Sequence, residues 1–268
     1  MRLGHALSAL LGVVLRDGER FLGQKGRLLA ALLRPALWLL IFAAGLGVAF
    51  GEAAVPPYDR PVAYPVYILP GLLGMVLLFN GMQSSLSMVY DREMGVMRLL
   101  LTAPLPRWYL LLCRLLAGVA LSVVQAYAFL VVAALFGLAP PLMAWVTVLP
   151  ALVAGGLMLG AMGLLLSVHI RQLENFAGTM NFVIFPMFFL SSALYPVERL
   201  ASGGAILEWA ARLNPFTHAV ELIRFALYGR LEATAVVVVL GAFAIFFIAA
   251  AQGYDPQRGM LSRAGRES

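Results

Sequence analysis

Three histidines (His5, His169 and His218), one cysteine (Cys113) and one lysine (Lys25) are the residues from which most catalytic sites would be built in this chain of 268 residues. Clustered histidines bind metals or move protons, a thiolate attacks electrophiles, and a lysine closing a Gly-x-x-x-x-Gly-Lys loop cradles nucleotide phosphates. The spacing argues against each of these. The histidines are far apart and fall in different predicted compartments, so hydrogen-bonded or interfacial roles are expected for them, not ligation. A lone Cys113 makes neither an intrachain disulfide nor a cysteine-based metal site and reads as a small packed apolar residue. Lys25 stands in Gln-Lys-Gly, outside any phosphate loop, and no Ser-His-Asp set has credible partners. The expectation is no catalytic residue, no cofactor and no metal on this chain.

The other charged residues sit at the ends of long apolar runs. Hydrophobic residues make up 62% of the chain and charged ones 12%, against about 45–50% and about 25% in soluble domains. A soluble fold of this size cannot hide so much apolar surface. The net charge of +6 forms no continuous basic stripe, which excludes nucleic acid as a partner. Glu93, Glu174, Glu198 and Glu232 all fall at or beyond span ends. Ion-coupled carriers usually keep coupling carboxylates near mid-membrane, so their placement here argues against such a carrier.

These patterns predict an all-α membrane protein with six transmembrane helices at about 28–50, 65–90, 108–136, 142–168, 176–195 and 233–251. They form one domain over residues 28–252. Before it, residues 1–27 carry Leu3, Leu7, Leu10, Leu11, Val14 and Leu15 at helical spacing, the mark of an amphipathic interfacial helix. That run ends in charged residues 16–20 and not at a cleavage site, so it is kept in the mature chain. Arg34 is the one charge within the first span and is expected to snorkel to the near interface. The last turns of the second span, Asn80 to Ser87, are small and polar, suited to a helix facing other helices or a wet cavity. Gly155, Gly156, Gly160 and Gly163 in the fourth span suit close helix packing within the chain ahead of a dimer contact.

Residues 196–232 read as two short amphipathic helices, with Glu208–Arg212 and Glu221–Arg224 at helical spacing and a break at Asn214-Pro215. Residues 253–268 form a polar tail. All but five (Arg60, Arg199, Arg212, Arg224 and Arg230) of the 19 Lys and Arg residues fall on the side shared by both termini and the second-to-third connection. Basic short loops stay cytoplasmic, which puts both termini inside and residues 196–232 outside.

Two stretches resemble a known family. Asp91 to Arg114, DREMGVMRLLLTAPLPRWYLLLCR, is similar to the loop after the second span in permeases of the ABC type-2 exporter family. LSSALYPVERL followed by LNPFTHAVELIRFALYG, within Leu190 to Gly229, is similar to that family's outer segment. The resemblance implies an export permease in the bacterial inner membrane, moving a lipid, glycan or hydrophobic drug. It implies a second permease copy, with a homodimer expected, surrounding membrane lipids, and two copies of a separate ABC ATPase subunit that binds the ATP. The helix at about 91–104 would then rest in a groove of the ATPase, helped by the N-terminal helix. Its coupling residues would be Asp91, Arg92, Glu93, Gly95, Arg98, Leu99, Leu100, Leu101 and Pro104. Leu99 to Leu101 are candidate anchors, with Glu93 and Arg98 as orienting charges; the bland reading is a surface connection capping two spans.

The sequence departs from the family at Val96-Met97-Arg98, where Thr and an acidic residue are usual. Tyr195, Pro196, Asn214, Pro215 and Phe216 are candidates for an outer gate or exit, with interfacial anchoring as the alternative. A partner-independent secondary transporter and a noncatalytic membrane assembly factor remain the competing function classes.

Overall fold

The computed structural model describes residues 25–45, 52–53, 55–94, 106–170 and 172–254, with isolated positions nearer the N-terminus. The expected N-terminal helix lies almost wholly, and the tail almost entirely, outside these residues. The helices are α1 (Lys25–Gly45), α2 (Tyr64–Glu93), α3 (Arg107–Leu135), α4 (Ala144–His169), α5 (Leu173–Phe189), α6 (Val197–Leu200), α7 (Ala205–Leu213), α8 (Pro215–Ala226) and α9 (Ala233–Gly253), with a 3-10 turn at Ala201–Gly203. A two-residue antiparallel pair, β1 (Glu52–Ala53) with β2 (Val62–Ala63), closes the connection from α1 to α2.

Among the described residues, four helices are long and apolar enough to cross a membrane: α2, α3 from Trp108, α4 and α9. Helix α2, with 30 residues, is about 45 Å long at roughly 1.5 Å per residue. That exceeds a hydrocarbon core of about 30 Å, so α2 is longer than an apolar layer is thick.

Small residues bring α2 and α4 together. A Cβ on Gly81 would lie 3.0 Å from the Gly160 backbone nitrogen, and one on Gly163 would lie 2.6 Å from Ser85 Oγ. Gly156 faces Val119 of α3, and Gly155 faces Leu77 of α2. The glycine run of α4 therefore packs within the chain, where bare backbone lets helices approach closely. Around this seam a core gathers from Tyr67, Leu72 and Leu77 of α2, Leu159 of α4, Phe188 of α5 and Phe216 of α8. A second cluster joins Met88, Leu111, Leu115 and Leu164 toward the Glu93 end of α2. Cys113 of α3 is buried at 1% exposure.

Two glycines end helices by left-handed backbone. At Gly137, φ is +85°, and Leu138 N–H reaches Ala133 O while Gly137 N–H reaches Ala134 O. Gly229, at φ +63°, repeats the pattern with Arg230 N–H to Phe225 O and Gly229 N–H to Ala226 O. Both are Schellman ends, which glycine adopts without a Cβ clash.

The Arg34 guanidinium lies 4.3 Å from the Phe79 ring centroid on α2, a cation–π contact between α1 and α2. One detail differs from the sequence reading. Helix α5 stops at Phe189 and gives way to turns through 190–195, where the reading carried the span to Tyr195. The carbonyls freed there are taken by Asn214, whose Nδ2 donates to Met187 O at 2.7 Å and Leu190 O at 2.6 Å.

Candidate functional site

Asp91, Arg92 and Glu93 close α2 and point to three different helices. Asp91 accepts from Arg114 of α3, Nη2 to Oδ2 at 2.5 Å, with both side chains nearly buried. Arg92 Nη1 donates to Ser167 O at 3.2 Å, in the last turn of α4. Glu93 Oε1 accepts from Leu173 N–H at 3.0 Å, at the first residue of α5. Each charge suits the helix end it meets: a cation at the carbonyl end of α4 and an anion at the amide end of α5. Once buried, the Asp91–Arg114 pair is costly to break from one side, because the remaining charge has no water.

The knot sits directly before the second-to-third connection. Of the residues expected to couple to a partner, Asp91, Arg92 and Glu93 are thus brought together, while Gly95, Arg98, Leu99, Leu100, Leu101 and Pro104 lie outside the described residues. Arg114 belongs here too. It is the last residue of the quoted motif, and its position one helix turn from Leu110 and Leu111 on an apolar face was the signal that it is turned inward to a partner.

A second polar cluster forms at the Tyr64 end of α2. Asn214 joins two helix ends with one amide: its Nδ2 holds the end of α5, and its Oδ1 accepts from Phe216 N–H at 3.0 Å as the N-cap of α8. Pro215 occupies the first turn of α8, where its missing N–H costs nothing. Phe216 is fully buried, 6.2 Å from the Phe188 ring. Tyr195 donates its hydroxyl to Phe189 O, and Pro196 lines a nearby cavity. The five residues expected at an outer gate therefore fall in one region, and Asn214 is its fastener.

Sequence reasoning missed what lies beneath. Arg224 of α8 is 2% exposed, pairs with Glu221 at 2.6 Å and donates Nη2 to Ser192 O at 2.6 Å. Tyr67 of α2 donates to the same Ser192 carbonyl at 3.0 Å. Burial alone would lower Arg224, but Glu221, followed by Tyr67 and Tyr58, more than reverses this and keeps the guanidinium charged. Burial also pushes the Tyr58 phenol above its ordinary range, with Arg224 pulling against it. Glu221 and Arg224 were legible as a helix pair; the sign of their burial was an arginine set between Leu222, Ile223 and Phe225.

The cavity beside this cluster measures about 380 Å³ and is lined from α2, α6, α7, α8, the first turn of α9 and the loop at Val55 and Pro56. Arg230 ties that loop to the end of α8 through Pro57 O at 2.9 Å and Asp59 at 2.7 Å.

Long apolar helices knitted at both ends by polar contacts define a multi-pass membrane protein. The profile of the ABC-2 type transporter family matches residues 9–228, and the chain belongs to that family. It is 31% identical over 201 residues to the putative transport permease ycf38 of Porphyra purpurea, covering 74% of this chain and 66% of that one. It is 24% identical over 207 residues to nodulation protein J of Rhizobium leguminosarum bv. trifolii, covering 75% and 74%. With the probable multidrug ABC transporter permease YbhR of Escherichia coli K12 it shares 26% identity over 169 residues, 62% of this chain and 45% of that one. The chain thus spans just under two thirds of the length of the Porphyra permease.

Proposed function

We propose that this chain is the membrane permease of an ATP-driven exporter, moving a lipid, glycan or hydrophobic drug out of the cytoplasm or the inner leaflet. A separate ABC ATPase subunit, present in two copies, binds and hydrolyses the ATP, and two permease chains form the pathway. Helices α1 to α5 and α9 supply six spans in a bacterial inner membrane, with both termini cytoplasmic. Helix α1, at 21 residues, is about 31 Å long and can cross a core of about 30 Å. Helix α5, at 17 residues, is about 26 Å long and crosses with help from the turns that follow it.

The observation that carries this reading is the knot at the Glu93 end of α2. A push on the segment after Met94 is delivered at once to α3, α4 and α5, because consecutive side chains hold one helix each. A chain without an engine of its own needs such a relay. The test is copurification: in mild detergent the chain retains a cytoplasmic ATPase, and Glu93→Arg or Leu99→Asp releases it without loss of membrane insertion. Uphill transport by the purified chain alone, driven by an ion gradient, would overturn the proposal.

A further inference from the structure

Arg34 is a cation in an apolar setting that no protein anion answers. It stands near the middle of α1, half-buried, with its guanidinium over the Phe79 ring of α2. The ring offers it a quadrupole and no countercharge, and it has no hydrogen-bond or ion-pair partner among the described residues. A charge kept at span depth is costly, and such residues mark functional sites. A second copy of this chain brings no anion to that depth either, because no Asp or Glu lies at 20–51, 60–90, 94–173, 175–197 or 233–254.

An independent observation lies on α2. Within residues 79–87, Gly81, Met82 and Ser85 are buried, while Phe79, Asn80, Gln83, Ser84, Leu86 and Ser87 stay partly open. About 3.6 residues per turn put the open ones on one face, so the Phe79 ring under Arg34 borders a polar stripe. Asn80 Nδ2 donates to Gln125 of α3, which leaves it one free N–H. Ser87 Oγ donates to Ser84 O at 2.6 Å. The side chains of Gln83 and Ser84 have no hydrogen-bond partner among the described residues. Asp91, farther along the same face, is already paired with Arg114. Next to the stripe, α1 turns Leu33 and Leu37 outward, both about half exposed.

A guanidinium fork with free amide and hydroxyl donors, and no spare carboxylate, selects an anion with several acceptor oxygens. Phosphate meets that description, and the apolar face beside it selects a phosphate that carries hydrocarbon. We propose that the groove between α1 and α2 binds the phosphate group of a lipid: its charge on Arg34, its oxygens taking donors from Gln83 and Ser84, and its acyl chains along Leu33 and Leu37. The assignment rests on the reading of α1 as a span and not on the transport reading.

The probe is phosphatidylglycerol, added to the full-length chain in mild detergent and counted by native mass spectrometry. A tightly held lipid is expected on each chain, with diacylglycerol, which lacks the phosphate, bound about tenfold more weakly. Arg34→Gln should weaken phosphatidylglycerol binding by about tenfold, and Arg34→Lys, which keeps the charge without the fork, by less. Gln83→Leu should weaken it by about threefold. Arg60→Gln, in the loop at the Tyr64 end of α2, should leave it unchanged. Thermal midpoints taken before lipid is added show that each variant is folded. Equal binding of phosphatidylglycerol and diacylglycerol, or binding unchanged in Arg34→Gln, would overturn the assignment. So would inorganic phosphate displacing the lipid at equal concentration, which would make free phosphate the ligand. Maleimide labelling of Lys25→Cys and Gly45→Cys from opposite sides of the membrane reports separately on whether α1 crosses it.

Discussion

The guanidinium of Arg224 lies 4.3 Å from the ring centroid of Tyr67, although the two residues belong to different helices and only one of them carries charge. Between them they share the Ser192 carbonyl, so α2, α8 and the turn after α5 are held at one point. The pair is asymmetric, because the Glu221 side chain keeps 23% exposure and Arg224 only 2%. Glu221→Ala strands a buried cation and should lower stability by about 3–5 kcal/mol. Arg224→Met should cost less, since Glu221 can turn to water. Thermal unfolding of both variants in the same detergent checks the order, and the reverse order would refute this account.

Asp91→Ala should destabilise by about 3–5 kcal/mol by leaving Arg114 buried and unpaired. The double variant Asp91→Leu with Arg114→Met should recover much of that loss, because apolar side chains of similar volume tolerate the same surroundings. Measured midpoints for the single and double variants decide this. An Asp91→Ala midpoint equal to that of the unaltered chain would show the pair to be solvated.

Asn214→Asp separates the two tasks of one side chain. Its remaining oxygen still caps α8 at Phe216, but the donors to Met187 O and Leu190 O are lost and an anion faces those carbonyls. A loss of about 1–3 kcal/mol is expected, with protease sensitivity confined to residues near the end of α5. Cleavage spread evenly along the chain would argue against a local fastener.

Gly71→Ala should be poorly tolerated, because the added Cβ would lie 2.4 Å from the Ala193 carbonyl oxygen, a backbone atom. A cost of about 1–3 kcal/mol follows. Gly178→Ala on α5 and Gly241→Ala on α9 meet nothing within 4 Å and should stabilise by up to about 1 kcal/mol through helix propensity. If either alanine weakens self-association in a crosslinking assay, that glycine marks the face where a second permease copy packs.

The sequence made the helices legible because apolar runs of span length have few other fates in water or lipid. It also made the polar punctuation legible: Asn214-Pro215 marked a real break, and Asp91 to Glu93 marked a real junction. It could not show that Arg92 and Glu93, side by side, would meet opposite ends of two successive helices, because that depends on how α4 and α5 are arranged in space. The Arg224 network was hidden for a related reason. Helical spacing alone does not tell whether a Glu and an Arg face solvent or the core, and Tyr67, the third member, lies 157 positions before Arg224 by their numbering. The end of α5 was misplaced because Ser191 to Tyr195 contain no Gly or Pro to mark a stop, while the helix end is held by Ser191, bonded to Phe188 O, and by Asn214, far along the chain.

Cys113 is the only thiol in the chain and it is hidden inside the bundle. Cysteines introduced one at a time would therefore be read by polar maleimides against a silent background, with no need to remove the native residue. Placed at Ser202, at Met94 and beyond Tyr254, such tags would chart which face of the bilayer each connection occupies in intact cells.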